Sequence, residues 1–193
     1  MNVVIIKYNA GNTSSVLNAL NRLNVQATVS NDADIICKAG KVILPGVGAA
    51  GAAMQSLQEN GLDKVITSLR QPVLGICLGM QLMCTRSEEN DTECLGIFKE
   101  TVHRFGNDVK VPQMGWNNVS KLRSALFIGI KEDAYMYFVH SYYVPLCAQA
   151  IGVTNYSTDY SSALQSDNFY GVQFHPEKSS HMGSRLLENF LKL

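Results

Sequence analysis

Val3 to Ile6 is an unbroken apolar run, the pattern of a strand buried on both faces of a parallel sheet. Lys41 to Leu44 and Pro72 to Ile76 read the same way, and Val25 to Val29 supplies a further strand. Between them the period changes. After the turn-forming stretch Asn9 to Asn12, Val16, Leu17, Leu20 and Leu23 recur at helical spacing, with Asn12 or Thr13 as the cap. Ala52 to Gln58 and Leu62 to Leu69 read as helices separated by the breaker pair Asn60-Gly61. Repeated strand–helix units of this kind predict a parallel α/β sheet with right-handed crossovers.

The second half changes character. Cys94 to Phe105, Val119 to Leu122, Tyr135 to Val144, Ala150 to Tyr156 and Ser162 to Gln165 read as short strands joined by turns. They predict an antiparallel addition, followed by a return strand at Tyr170 to Phe174. A final amphipathic helix, Ser184 to Leu193, carries Leu186, Leu187, Phe190 and Leu191 on one face. No linker, repeat or low-complexity tract divides the chain, so residues 1–193 are expected to form one domain, a mostly parallel central sheet flanked by helices.

Composition narrows the function classes. Sixteen basic residues balance sixteen acidic ones without a basic run, which removes support for electrostatic binding to nucleic acid or to an anionic membrane. The apolar run at the N-terminus is too short for a signal peptide or membrane span, and a cytoplasmic location is expected. Five cysteines, Cys37, Cys77, Cys84, Cys94 and Cys147, are odd in number and lack a C-x-x-C pair, so neither a disulfide framework nor a metal site is indicated. No cofactor is implied.

The chemistry concentrates in Gly75-Ile76-Cys77-Leu78-Gly79 and His175-Pro176-Glu177. Cys77 falls where a strand turns into a helix between glycines, the arrangement of a nucleophile elbow. A thiol facing a helix N-terminus is favoured as thiolate, the attacking form. His175 is placed to act as base and Glu177 to orient the imidazole and stabilise its cation. Cys77 as an ordinary buried cysteine is the competing reading; the flanking glycines and the downstream His-x-Glu outweigh it. Cys37, Cys84, Cys94 and Cys147 are read as packing, and His103, His140 and His181 as alternative bases with no carboxylate so near in sequence. Pro45-Gly46-Val47-Gly48 is either a plain strand-to-helix turn or, with Leu78, a source of backbone N–H groups for an oxyanion hole. The single tryptophan, Trp116 in Gln113-Met114-Gly115-Trp116-Asn117, fits core or interface equally.

Taken together, Pro45-Gly46-Val47-Gly48, Gly75 to Gln81 and Gly171-Val172-Gln173-Phe174-His175-Pro176-Glu177 resemble the triad (class I) glutamine amidotransferases, flavodoxin-like α/β proteins. Pro112 to Asn117 and Phe138-Val139-His140-Ser141-Tyr142 narrow the resemblance to glutaminase subunits that serve histidine biosynthesis. The resemblance implies that Cys77 attacks the γ-amide of glutamine and that Val47, Gly48 and Leu78 form the oxyanion hole. It implies further that Gly46, Gln81, Glu89, Ser141 and Tyr142 hold the substrate. Ammonia would pass to a separate (β/α)8-barrel cyclase subunit in a heterodimer, with Asn12, Trp116 and Lys178 at the interface.

Two segments depart from the family pattern. Lys7 stands where an acidic residue is common and Asn9 where glycine is, and Gln113 stands where histidine is usual. Neither touches the triad. Three other readings compete: a paralogous ammonia-supplying subunit of another synthase, a catalytically silent binding subunit, and a cysteine peptidase. The intact Cys77, His175 and Glu177 oppose the silent subunit, and Gln81 with the Met-Gly-Trp-Asn segment opposes the peptidase.

Overall fold

A computed structural model describes residues 2–9 and 11–193. Strands β1 (Val3–Ile6), β2 (Ala27–Ser30), β3 (Lys41–Leu44) and β4 (Val73–Ile76) are mutually parallel, and every residue of β1, β3 and β4 is buried. Alternate side chains supply two cores. Val3 and Ile5 face α1 (Thr13–Arg22) through Val16 and Leu20, while Val4 and Ile6 share a cluster with Met54, Leu57, Leu62 and Ile66 of α3 (Ala50–Glu59) and α4 (Leu62–Ser68). Asn12 is the α1 cap, its Oδ1 accepting from Ser15 N at 3.2 Å. Gly61, at φ 66°, makes the break between α3 and α4.

After β4 the helices and strands, in chain order, are α5 (Leu78–Leu82), β5 (Arg86–Ser87), β6 (Thr92–Glu93), β7 (Thr101–Arg104), β8 (Gln113–Val119), β9 (Ala134–His140), β10 (Tyr142–Pro145), β11 (Ala150–Tyr156), β12 (Thr158–Ser166), β13 (Phe169–Val172) and α6 (Ser180–Lys192). Among the described residues, eleven strands form one sheet in the order β2-β1-β3-β4-β13-β12-β10-β7-β5-β6, with β11 on β12. The return strand β13 pairs parallel with β4, and β12 and β10 follow antiparallel. This is the expected parallel sheet with an antiparallel addition. Strands β8 and β9 make a separate antiparallel ribbon. Among the described residues no helix is long and apolar enough to cross a membrane.

Several boundaries differ from the pattern of apolar positions. The strand expected at Val25 begins at Ala27, because Asn24 adopts φ 59° and Val25 N still donates to Leu20 O at the end of α1. The short helix α2 (Ala33–Cys37), capped by Asp32, has a single buried residue, Ile36, too few to show a period, and its Cys37 is exposed rather than packed. The stretch Cys94 to Phe105 is not one strand. Its first part folds over the end of α5, where Leu95, Gly96, Ile97 and Phe98 donate to the carbonyls of Leu82, Cys84 and Met83 that the helix leaves open. The strand expected at Val119 to Leu122 lies earlier, as β8, and stops before Lys121, which has φ 53°. Tyr135 to Val144 is divided at Ser141 into β9 and β10. The final helix starts at Ser180, one turn before its apolar stripe.

Candidate active site

β3, β4 and β13 lie side by side and point the same way, so the segments that leave their C-terminal ends meet. Cys77 leaves β4 at φ 54°, ψ −112°, a conformation costly for a side chain larger than glycine and a mark of an elbow. The turn closes because Gly79 packs directly on the Leu44 carbonyl, leaving no room for a Cβ. α5 has only five residues, so the helix-end field anticipated at Cys77 is that of little more than one turn.

The Cys77 sulfur is 3.7 Å from the Val139 carbonyl and 3.6 Å from Gln173 Nε2, and Cys77 and His175 line one cleft. Nδ1 of His175 lies 2.8 Å from Oε1 of Glu177. Ser179 fixes the His175 backbone: its hydroxyl donates to His175 O at 2.6 Å and accepts from Tyr137 N at 2.9 Å. His175 N donates to Tyr137 O at 2.9 Å, so the ribbon strand β9 braces the triad segment. Burial works against the imidazolium, but hydrogen bonds to Cys77 and Glu177 and the charge of both prevail, pushing the His175 pKa up to about 10. The residue is therefore a cation at neutral pH.

A cleft of about 330 Å³ opens above Cys77, at the small end of the roughly 300–1,000 Å³ typical of small-molecule sites. It is lined by Val47, Gly48, Leu78, Gln81, Glu89, Ser141, Tyr142, His175 and Lys178 from the sequence reading, and by Pro112, Val139 and His140. Glu89 sits in a short 3-10 turn, and its Oε2 accepts from Ala50 N at 2.7 Å, capping α3, whose own Ala49 offers no side-chain cap. Gln81 spends its Nε2 within the protein, on Tyr142 O at 3.0 Å and Gln173 Oε1 at 2.9 Å. Its carbonyl oxygen is the atom left for a ligand. Gly46 does not line the cleft; it is buried against the backbone of Leu78 and Gly79.

Asn12 and Trp116 stand outside the cleft. Trp116 is 53 % exposed on the ribbon, edge-on to Tyr137 with ring centres 5.9 Å apart, which excludes the core reading. Lys178 is exposed at the rim, beside the triad. Tyr8, in the first loop, donates its hydroxyl to the Pro45 carbonyl at 2.5 Å, tying that loop to the Gly46-Val47-Gly48 segment; burial pushes its pKa up. The alternative bases fall away. His103 pairs with Glu88 away from the cleft, and His181 is exposed on α6. His140 borders the cleft with both ring nitrogens engaged, and burial pushes its pKa down to about 4.

Two contributors to the site escaped the sequence reading. Gln173 sits inside a quoted motif, and one signal was its polarity within an otherwise apolar strand end. Ser179 offered no signal.

The family model for glutamine amidotransferase class-I matches residues 4–193. The chain is 54 % identical to imidazole glycerol phosphate synthase subunit HisH of Bacteroides fragilis and 47 % identical to the same subunit of Escherichia coli, in each case over 100 % of both chains. Its fold is that of a solved glutamine amidotransferase with a TM-score of 0.76 at 17 % identity, covering 98 % of this chain and 97 % of the other. A buried Cys-His-Glu constellation at neighbouring strand ends, a full-length family match and this level of identity lead to one statement: the chain belongs to the class-I glutamine amidotransferases, and within them to the HisH subunits of imidazole glycerol phosphate synthase.

Proposed function

We infer that this chain hydrolyses glutamine to glutamate and ammonia and supplies the ammonia to a (β/α)8-barrel cyclase subunit. That partner makes imidazole glycerol phosphate and aminoimidazole carboxamide ribotide in histidine biosynthesis. The observation that carries the reading is the buried Cys77–His175–Glu177 arrangement, with Cys77 and His175 in one cleft and Nδ1 of His175 2.8 Å from the Glu177 carboxylate.

Glutamine enters the cleft with its α-ammonium toward Glu89 and its α-carboxylate toward the backbone near Ser141. The Cys77 sulfur attacks the γ-carbonyl carbon, and the resulting oxyanion is met by N–H groups of the Val47-Gly48 segment and Leu78. His175 gives its proton to the amide nitrogen as the C–N bond breaks, releasing NH₃ and leaving a glutamyl thioester on Cys77. Neutral His175 then takes a proton from water, whose hydroxyl attacks the thioester. Glutamate leaves, and the Cys77–His175 ion pair is restored. Glu177 keeps the ring oriented and its cation stabilised throughout.

Glutamine turnover without a waiting acceptor wastes substrate, and glycine on either side of Val47 permits that segment to switch its peptide orientation. The isolated subunit is therefore expected to be slow and to rise strongly in the complex. The test is co-purification with the candidate barrel subunit, followed by glutamate release with and without the acceptor nucleotide. A stable complex with acceptor-stimulated release supports the reading; a free subunit already at the full rate overturns the gating.

A further inference from the structure

Buried hydrogen bonds continue well past the triad. Gln173 Nε2 donates to the Cys77 sulfur, and Gln173 Oε1 accepts from Gln81 Nε2, which also donates to the Tyr142 carbonyl. That carbonyl lies 2.7 Å from Nδ1 of His140. Nε2 of His140 is 3.2 Å from the Tyr160 hydroxyl, and the hydroxyl is 3.0 Å from the Gln113 amide. Gln113, Tyr160, His140, Gln81 and Gln173 are each no more than 6 % exposed.

Donor and acceptor counting favours one arrangement. A carbonyl only accepts, so Nδ1 of His140 carries the N–H. The ring is enclosed by Phe105 and Phe138, with ring centres 5.4 and 5.7 Å away, and such a setting holds the imidazole neutral. Nε2 is then a bare acceptor and takes the single proton of Tyr160. The Tyr160 oxygen is left with lone pairs alone and needs a donor from Gln113. With the amide oxygen turned toward Tyr160, Gln113 Nε2 is buried without a partner among the described residues. Exchanging the two amide positions, which are equivalent in shape, gives that N–H its acceptor. An unpaired buried N–H is rarer in folded proteins than an under-used carbonyl.

We propose that Gln113 and Tyr160 are positioning residues for the glutamine cleft, acting through neutral His140 on the Tyr142 carbonyl, and that Gln173 is a direct hydrogen-bond donor to the nucleophilic sulfur. The direction runs from the Gln113 amide N–H to the Tyr160 oxygen, and from the Tyr160 hydroxyl to His140 Nε2. It continues from His140 Nδ1–H to the Tyr142 carbonyl, where Gln81 supplies the second donor. The far arm shapes the Ser141–Tyr142 wall against which substrate binds; the near arm acts on the attacking atom. Both functional consequences rest on reading the cleft as a glutaminase site.

NMR of the intact chain, labelled with ¹⁵N at histidine, tests the geometry without any variant. The expected spectrum assigns His140 as the neutral Nδ1–H tautomer from mildly acidic to mildly basic pH. A neutral Nε2–H tautomer, or an imidazolium at neutral pH, overturns the arrangement. Steady-state kinetics of the complex test the consequence. Tyr160→Phe, which removes one hydroxyl, is expected to raise KM for glutamine about tenfold with kcat changed less than about threefold. Gln173→Met is expected to show the opposite split, kcat down about tenfold and KM nearly unchanged. A folded Tyr160→Phe protein with unchanged KM, or a folded Gln173→Met protein with unchanged kcat, overturns its arm. If Tyr160→Phe fails to fold, the His140 tautomer decides the far arm; if Gln173→Met fails to fold, the Gln173 side-chain amide resonance decides the near arm, since it should shift on Cys77→Ala and an unchanged resonance overturns the contact. Glutamine turnover by Cys77→Ala would instead sink the underlying reading of the cleft, and leaves the tautomer test standing apart.

Discussion

Oε1 of Glu177 lies 2.8 Å from Nδ1 of His175, and the two side chains are only 2 % and 5 % exposed. The other carboxylate oxygen, Oε2, is buried with no partner among the described residues. His175 is thus the side-chain partner of the buried carboxylate. Removing His175 strands a buried carboxylate, so His175→Ala should lose about 3 kcal/mol of stability along with activity. Glu177→Gln keeps an acceptor for the ring N–H but removes the charge that favours the imidazolium. Its glutaminase rate should fall, yet by less than in His175→Ala. Thermal unfolding and single-turnover glutamate release on both variants check this; equal losses of rate would remove Glu177 from the orienting role.

The raised His175 pKa fixes a pH dependence. Burial opposes the cation, and hydrogen bonds and charges from Cys77 and Glu177 overcome it, giving about 10 against an ordinary value of 6.5. A folded value above the unfolded one means this contribution to stability is fully present below pH 6.5 and is lost as pH rises through about 10. Cys77→Ala removes part of the cause. The stability difference between wild type and Cys77→Ala attributable to this pairing should therefore shrink across that window. Chemical denaturation at several pH values measures it, and a difference that grows toward high pH would contradict the ion-pair reading.

Glu89 has two duties that substitution can separate. Its carboxylate accepts from Ala50 N at the start of α3 while facing the cleft. Glu89→Gln retains an acceptor for the cap but loses the charge proposed to meet the α-ammonium. KM for glutamine should rise at least about tenfold, with a stability cost near the roughly 0.3–1 kcal/mol of a helix-end charge. Glu89→Ala should add the loss of a cap, about 1 kcal/mol more. Isothermal titration with glutamine and a melting curve resolve the two effects.

Lys178 is exposed at the rim, and its own N–H donates to the His175 carbonyl at 3.0 Å. In the proposed heterodimer its side chain would lie at the partner interface, beside the triad. Lys178→Ala should fold normally and bind the partner with a modest loss. Acceptor-stimulated glutamate release should fall further than the basal rate. Unchanged stimulation at saturating partner would return Lys178 to the role of a solvated surface lysine.

Much of this site was legible because its chemistry is local in sequence. The elbow at Cys77 announces itself through flanking glycines, and His175 and Glu177 are separated by one proline. Parallel strands buried on both faces are long apolar runs, so β1, β3 and β4 stood out. What stayed hidden depends on contacts far apart along the chain. The pairing of Gln173 with Gln81 spans 92 positions, and no period or spacing encodes it. Tyr135 to Val144 is divided at Ser141 because β9 pairs with β8 in the ribbon while β10 pairs with β7 and β12 in the main sheet. The ribbon strand β8 mixes polar and apolar residues because Trp116 and Met114 face outward. An alternation rule reads such a strand poorly when its outer face is also apolar.

Synthesis by the assembled complex, measured for Cys77→Ala with glutamine and separately with ammonium salt as the nitrogen source, bears most directly on the proposed division of labour. On that proposal the acceptor chemistry belongs to the barrel subunit and needs only NH₃. Glutamine-dependent synthesis should vanish, while ammonium-dependent synthesis proceeds at the wild-type rate. Persistent glutamine-dependent turnover in the Cys77→Ala complex would contradict Cys77 as the nucleophile and, with it, the glutaminase function proposed for this chain.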